Sequence, residues 1–74
     1  MTWGTEATFT LAINHRFVAF VAANCVYTGI NYSDRLTCNQ LLEGGEGITM
    51  SATRDETTVK ITTNKAANIG ILTF

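Results

Sequence analysis

Three stretches of this chain alternate apolar and polar residues with a period of two, and that alternation restricts the fold more than any other feature. Phe9, Leu11 and Ile13 are separated by Thr10 and Ala12; Ile48, Met50 and Ala52 by Thr49 and Ser51; Val59 and Ile61 by Lys60. A period of two places one set of side chains on each face of an extended strand, whereas a helix would group apolar residues every third or fourth position. Each stretch therefore reads as a strand with one buried face. Proline is absent, so Gly, Asn and Asp must carry the turns. Strands are expected over about 5–13, 17–28, 36–42, 48–53, 57–63 and 69–74, separated by "NHR", "TGINYSD", "EGGEG", "RDE" and the loop "NKAAN". Asn14 suits a left-handed turn position, because Asn tolerates positive φ better than most residues. The segment "RLTCNQLL" reads two ways. Leu36, Cys38, Gln40 and Leu42 alternate as a strand, while Ser33 or Asp34 could cap a short helix near 33–43 that stops at Gly44 and Gly45. The strand reading is preferred. The expectation is one all-β domain over 1–74, a small antiparallel β-sandwich or barrel of about six strands.

One segment breaks the alternation. From Phe17 to Ala23 every residue is apolar, so a strand there is greasy on both faces. Either Val18 and Phe20 or Phe17, Ala19 and Val21 join Phe9, Leu11 and Ile13 in the core, depending on the length of the turn at "NHR". The other set must bury against a second layer or a second chain. A domain of 74 residues has only one modest core, burying about 60% of the surface its unfolded chain exposes. Charged residues make up 15% of the chain, against roughly 25% in a typical soluble domain. Natural edge strands are guarded by Lys, Pro or inward charge, and Lys60 is the only Lys expected within a strand. Few charges and unguarded strands point to a homo-oligomer, with Phe17, Val18, Phe20 and Val21 as the candidate interface.

Several functions are argued against by the same residues. The five basic side chains, Arg16, Arg35, Arg54, Lys60 and Lys65, are scattered through a chain of formal charge −1, and a phosphate-tracking surface needs them clustered. No nucleic-acid partner is expected. The longest apolar run is far below the 18 or so residues of a membrane helix. His15 falls in an expected turn, and Glu6, Asp34, Glu43, Glu46, Asp55 and Glu56 fall at strand ends or in turns, where nothing forces two of them into one cleft. Glu43 and Glu46 supply too few oxygens for a calcium loop. The reading is a non-enzyme with no cofactor and no metal.

Cys25 and Cys38 match no zinc or redox spacing. If the chain folds back about "INYS", the two stand opposite each other and can bridge; the alternative is two buried free thiols. A bridge would favour an extracellular setting. The start, "MTWGTEATF", lacks the basic and apolar regions of a signal peptide, which fits either a protein that is not secreted or a mature form carrying an added Met1. An extracellular or virion location is preferred over a cytoplasmic one. Thr is unusually abundant, at 13 residues, and lies on the faces opposite the apolar ones, where its β-propensity suits an exposed pleat and its hydroxyls could meet a partner surface. The triplet "NYS" at Asn31 fits a glycosylation acceptor, though about one such triplet is expected by chance.

Toward the C-terminus, "TTVKITTN" followed by a glycine-containing closing strand is similar to the last two strands of the Shiga-like toxin binding subunits. That resemblance implies an oligonucleotide/oligosaccharide-binding fold that forms rings and binds glycolipid sugars. The cysteine spacing departs from that family, and no residue roles carry over. "EGITMSATRDETTVKI" resembles strands of phage tail-tube proteins, which implies an assembly role. Two functions follow as expectations: an assembly or structural subunit of virion or filament type, acting through self-association of β surfaces, and alternatively a secreted binding module, like a toxin B subunit, lectin or effector, that recognises a sugar or a host protein.

Overall fold

The alternating stretches form strands, and the strands form one antiparallel sheet that curls on itself. A computed structural model describes residues 1–22, 25–44 and 47–74; Ala23 and Asn24 of the expected strand over 17–28, and Gly45 and Glu46 of the expected turn "EGGEG", lie outside the described residues. The elements are β1 (Thr2–Thr10), β2 (His15–Val21), β3 (Cys25–Asn31), β4 (Leu36–Leu42), β5 (Met50–Asp55) and β6 (Thr58–Thr73). Their order in the sheet is β1-β6-β2-β3-β4, with β5 pairing β6 beside this path. The all-β antiparallel class is as the alternation requires, and the described residues contain no helix.

Several strand boundaries differ from expectation. β1 covers Thr2–Thr10 rather than 5–13, so Leu11 and Ile13 lie in the connection to β2, where the Leu11 N–H donates to the Thr57 carbonyl; β2 begins at His15, inside the expected "NHR" turn; and β5 covers Met50–Asp55 rather than 48–53, taking in Arg54 and Asp55 of the expected "RDE" turn. Two further differences are larger. The greasy segment is not one strand over 17–28 but two: β2 ends at Val21, Ala22 takes φ 56, and the chain returns as β3 from Cys25. The apolar residues on either side hid the one polar punctuation mark in that stretch of sequence, Asn24. The expected loop "NKAAN" is instead the middle of β6, a strand of 16 residues. Its first part pairs with β5 on one side and its last part with β2 on the same side. Between them β6 bends, because residues 63–66 lie opposite Thr5 of β1 alone, the register jumping from Gly4↔Ala67 to Glu6↔Thr62. Extra residues on one strand of a pair kink it and increase its twist. Side chains fix the bend: Thr63 Oγ1 donates to the Lys65 carbonyl at 2.7 Å, Asn64 Nδ2 donates to the Gly47 carbonyl at 2.9 Å, and the Thr49 N–H donates to Asn64 Oδ1 at 2.8 Å.

The bend folds β5 and the first half of β6 over β2 and β3, and the core fills the space between. Phe17, Ala19 and Val21 of β2, Tyr27 of β3, and Val59, Ile61 and Ile69 of β6 are buried there with Leu11. The Phe9 and Phe17 rings meet at 5.3 Å and 57°, a tilted contact that aromatic quadrupoles favour. Gly29 stands opposite Phe17. A Cβ at Gly29 would strike the Thr37 carbonyl oxygen and come within 2.5 Å of Phe17 Cε1, so the ring lies over bare backbone.

The cysteine pairing is overturned. Strand β3 runs on through "GIN" to Asn31, so the turn is Tyr32–Arg35 and Asn31 faces Leu36. That register sets Gly29, not Cys25, opposite Cys38. Four residues of strand, roughly 13 Å, separate Cys25 from that position, well beyond the limit of about 7 Å for a bridge. Both thiols are free, Cys25 buried and Cys38 half-buried.

Asn31 is the reason β3 is that long. It is wholly buried, and its Nδ2 donates to the Leu11 carbonyl at 2.8 Å and to the Glu56 carbonyl at 2.9 Å. Its Oδ1 accepts from Arg54 Nη1 at 3.1 Å. The same guanidinium donates to the carbonyls of Tyr32 and Ser33. One amide thus ties together the β1–β2 connection, the β5–β6 turn and β5. An Asn with its amide consumed in this way is no glycosylation acceptor in the folded chain.

Candidate interaction surface

Strand β2 is the middle strand of the path β1-β6-β2-β3-β4, and the two faces it presents have separate fates. Phe17, Ala19 and Val21 point inward and are fully buried. Of the candidate interface, Phe17 and Val21 are therefore core residues and cannot meet a partner. Val18 and Phe20 are the set left over, half-buried and exposed on the outer face.

Registers across the sheet show what surrounds them. Phe20 lies between Gly70 of β6 and Val26 of β3, and Val26 lies beside Leu42 of β4. A Cβ at Gly70 would meet Met1 Cε at 3.6 Å and Phe20 Cβ at 4.0 Å, so the Met1 side chain completes a row that crosses the whole sheet: Met1, Gly70, Phe20, Val26, Leu42. The adjacent row holds Leu72 beside Val18 and then Thr28 and Asn39. Trp3 pairs with Asn68 at one border, and Phe74 donates its N–H to the Arg16 carbonyl at another. Large apolar side chains exposed among the described residues, from 40% for Phe20 to 90% for Met1, all stand on this face except Leu41: Trp3, Phe20, Leu42 and Leu72 at ladder positions, and Met1 and Phe74 just beyond the ends of β1 and β6. At those positions Arg16 is the only charged residue among the described ones. An open hollow of about 510 Å³ continues the apolar surface beside Trp3, where Ala22, Ile48 and Ala67 line it.

The sheet's other outer face is its chemical opposite. Where β1, β6 and β5 run side by side, three rows read Glu6–Thr62–Ser51, Thr8–Lys60–Thr53 and Thr10–Thr58–Asp55. Lys60 Nζ meets Glu6 Oε1 at 3.3 Å. Five threonines and three charges make this a hydrated pleat.

Titratable groups do not converge. His15 is exposed at the start of β2, Asp34 pairs with its neighbour Arg35 in the β3–β4 turn, and Asp55 and Glu56 sit at the β5–β6 turn. Glu46, paired with Glu43 in the calcium argument above, lies outside the described residues. Among the described residues no three His, Cys, Asp or Glu side chains lie close enough to hold a metal ion. Burial pushes the Cys38 thiol above its ordinary value, which lowers its thiolate fraction and its nucleophilicity. Burial also pushes the Tyr27 phenol up, with Cys25 and Cys38 adding to the effect; its hydroxyl donates to the Ile48 carbonyl at 3.3 Å.

Comparison with protein-family models, with curated proteins and with solved structures finds no match. The outer apolar face is thus the feature on which a functional reading rests. Its central residues were legible as the surplus side of a greasy strand. Trp3, Leu42, Leu72 and Phe74 were not, since each reads alone as an ordinary strand residue, and only the register gathers them.

Proposed function

We propose that this chain is a non-enzymatic assembly or structural subunit that works by self-association of a β surface. One observation carries the reading: the exposed large apolar side chains gather on a single sheet face that has one charged residue at its ladder positions. Monomeric soluble proteins rarely leave a contiguous apolar patch of several hundred Å² in water. The low charge of the chain and the lack of Lys or Pro along β4 favour the same conclusion, because such strands are normally guarded. Light scattering across a range of concentrations tests it. The expected result is a defined mass above that of the 8.1 kDa chain, unchanged by reductant because no disulfide holds it. A mass that stays at one chain up to millimolar concentration refutes it.

A further inference from the structure

We infer that the self-association is a closed, two-fold dimer in which the outer faces of two copies pack sheet on sheet, with the axis over Val18 and Phe20 of β2. The inference rests on the self-association reading and adds the surface and the symmetry.

Position is the first argument. The apolar residues are densest on the middle strand of the sheet path and its two neighbours: Phe20 and Val18 with Gly70, Leu72 and Val26. Polar residues on this face are Thr28 beside Val18, Arg16 near the start of β2, Thr37 and Asn39 on β4 and Asn68 on β6, while Met1, Trp3, Leu42 and Phe74 carry the apolar surface out to the border. Aromatic and Met side chains gathered where charge is depleted are what the core of a protein–protein interface shows. Extent is the second. The face crosses the five strands of the path β1-β6-β2-β3-β4, and strands about 4.8 Å apart with about six residues each at about 3.3 Å give on the order of 500 Å² of flat area, which side-chain relief brings toward the roughly 800 Å² per partner of a standard interface.

Chemistry selects a second copy as the occupant. A two-fold contact sets each surface against itself, so any charge near the axis meets its own like. A centre without charge suits that requirement. An anionic membrane surface would instead call for a cluster of basic side chains, and the face has only Arg16. Sheets packed face to face stand about 10 Å apart with interleaved side chains, and the unbranched Met1 side chain over Gly70 is of the kind that adapts to a partner's surface.

The test uses the intact chain and three single variants. Phe20→Asp puts a like-charge pair at the axis and should give folded monomers, raising the dissociation constant about 100-fold or more, as loss of a central anchor does; circular dichroism checks the fold. Leu72→Asp does the same one strand away, should Phe20→Asp fail to fold. Val18→Cys should give covalent dimers on mild oxidation, whereas Thr53→Cys on the hydrated face should not. A wild-type chain that self-associates while both aspartate variants keep its mass overturns the face and leaves self-association standing. A wild-type mass growing steadily with concentration, without stopping at two chains, overturns the two-fold closure. A wild-type monomer overturns both.

Discussion

Replacing Asn31 by Leu tests whether one buried amide holds three separate parts of the chain in place. The substitution keeps the side chain's approximate size and removes its hydrogen bonds to the Leu11 and Glu56 carbonyls and to Arg54. Two acceptors next to a wholly buried side chain then lose their donor. Each buried group left unpaired costs about 1–3 kcal/mol, and the gain from burying extra carbon offsets about 1 kcal/mol, so the net loss should be about 1–5 kcal/mol. Arg54 keeps its bonds to the Tyr32 and Ser33 carbonyls, which limits the loss on its side. At about 0.05–0.15 kcal/mol per residue, a 74-residue chain has a total stability of roughly 4–11 kcal/mol, so the variant should be marginal. Urea unfolding at one fixed protein concentration reads this as a drop in midpoint with an unchanged slope. Thr53→Val, exposed on β5 on the hydrated face, serves as the control and should shift stability by less than about 0.5 kcal/mol. A loss below about 1 kcal/mol for Asn31→Leu would refute the rivet, since it would mean that water or a rearranged turn satisfies both carbonyls.

Phe17→Ala should cost about 3–5 kcal/mol, because the ring is fully buried and lies over Gly29; retention of the wild-type midpoint would contradict the packing. Gly29→Ala should prevent folding or cost several kcal/mol, as the new Cβ meets backbone as well as the Phe17 ring, and a folded variant with a native midpoint would show that β4 can move away freely. Glu56 holds φ 55 in the β5–β6 turn, a conformation that strains a side chain, so Glu56→Gly should raise stability by up to about 1 kcal/mol in thermal unfolding; a clear loss would show that the side chain has a partner that matters. Tyr27 and Cys38 both have upward-shifted pKa values from burial, against ordinary values of 10.0 and 9.0. The folded chain therefore holds these protons more tightly than the unfolded one. Their contribution is full below about pH 9 and is lost as pH rises through the folded values, so stability that stays flat to pH 11 in a Tyr27-intact chain would argue against their burial.

The strand class of this protein is written locally. Alternation located strands at Phe9, over 50–53 and over 58–62, although it overran both β1, which ends at Thr10 with Leu11 buried in the connection, and the start of β5 at Met50; Asn14 announced its left-handed turn, which the chain adopts at φ 67. The sequence also showed that β2 has an apolar face too many. Pairing was not legible, because hydrogen-bond register depends on where each turn closes, and turn closure depends on distant partners. Asn31 looks like turn residue and is strand, since its amide is claimed by Leu11, Glu56 and Arg54, all 20 or more positions away. That one difference moved the β3–β4 register and separated the cysteines. Residues 64–68 look like a loop and are strand, because β5, β1 and β2 all take their hydrogen bonds from a single bent β6. The number of strands came out as expected only because one expected strand divides and two others merge. Side-chain period is a property of neighbours along the chain and can be read there. Which faces meet, and which face six exposed apolar residues share, is set by long-range pairing and exists only once the sheet has closed.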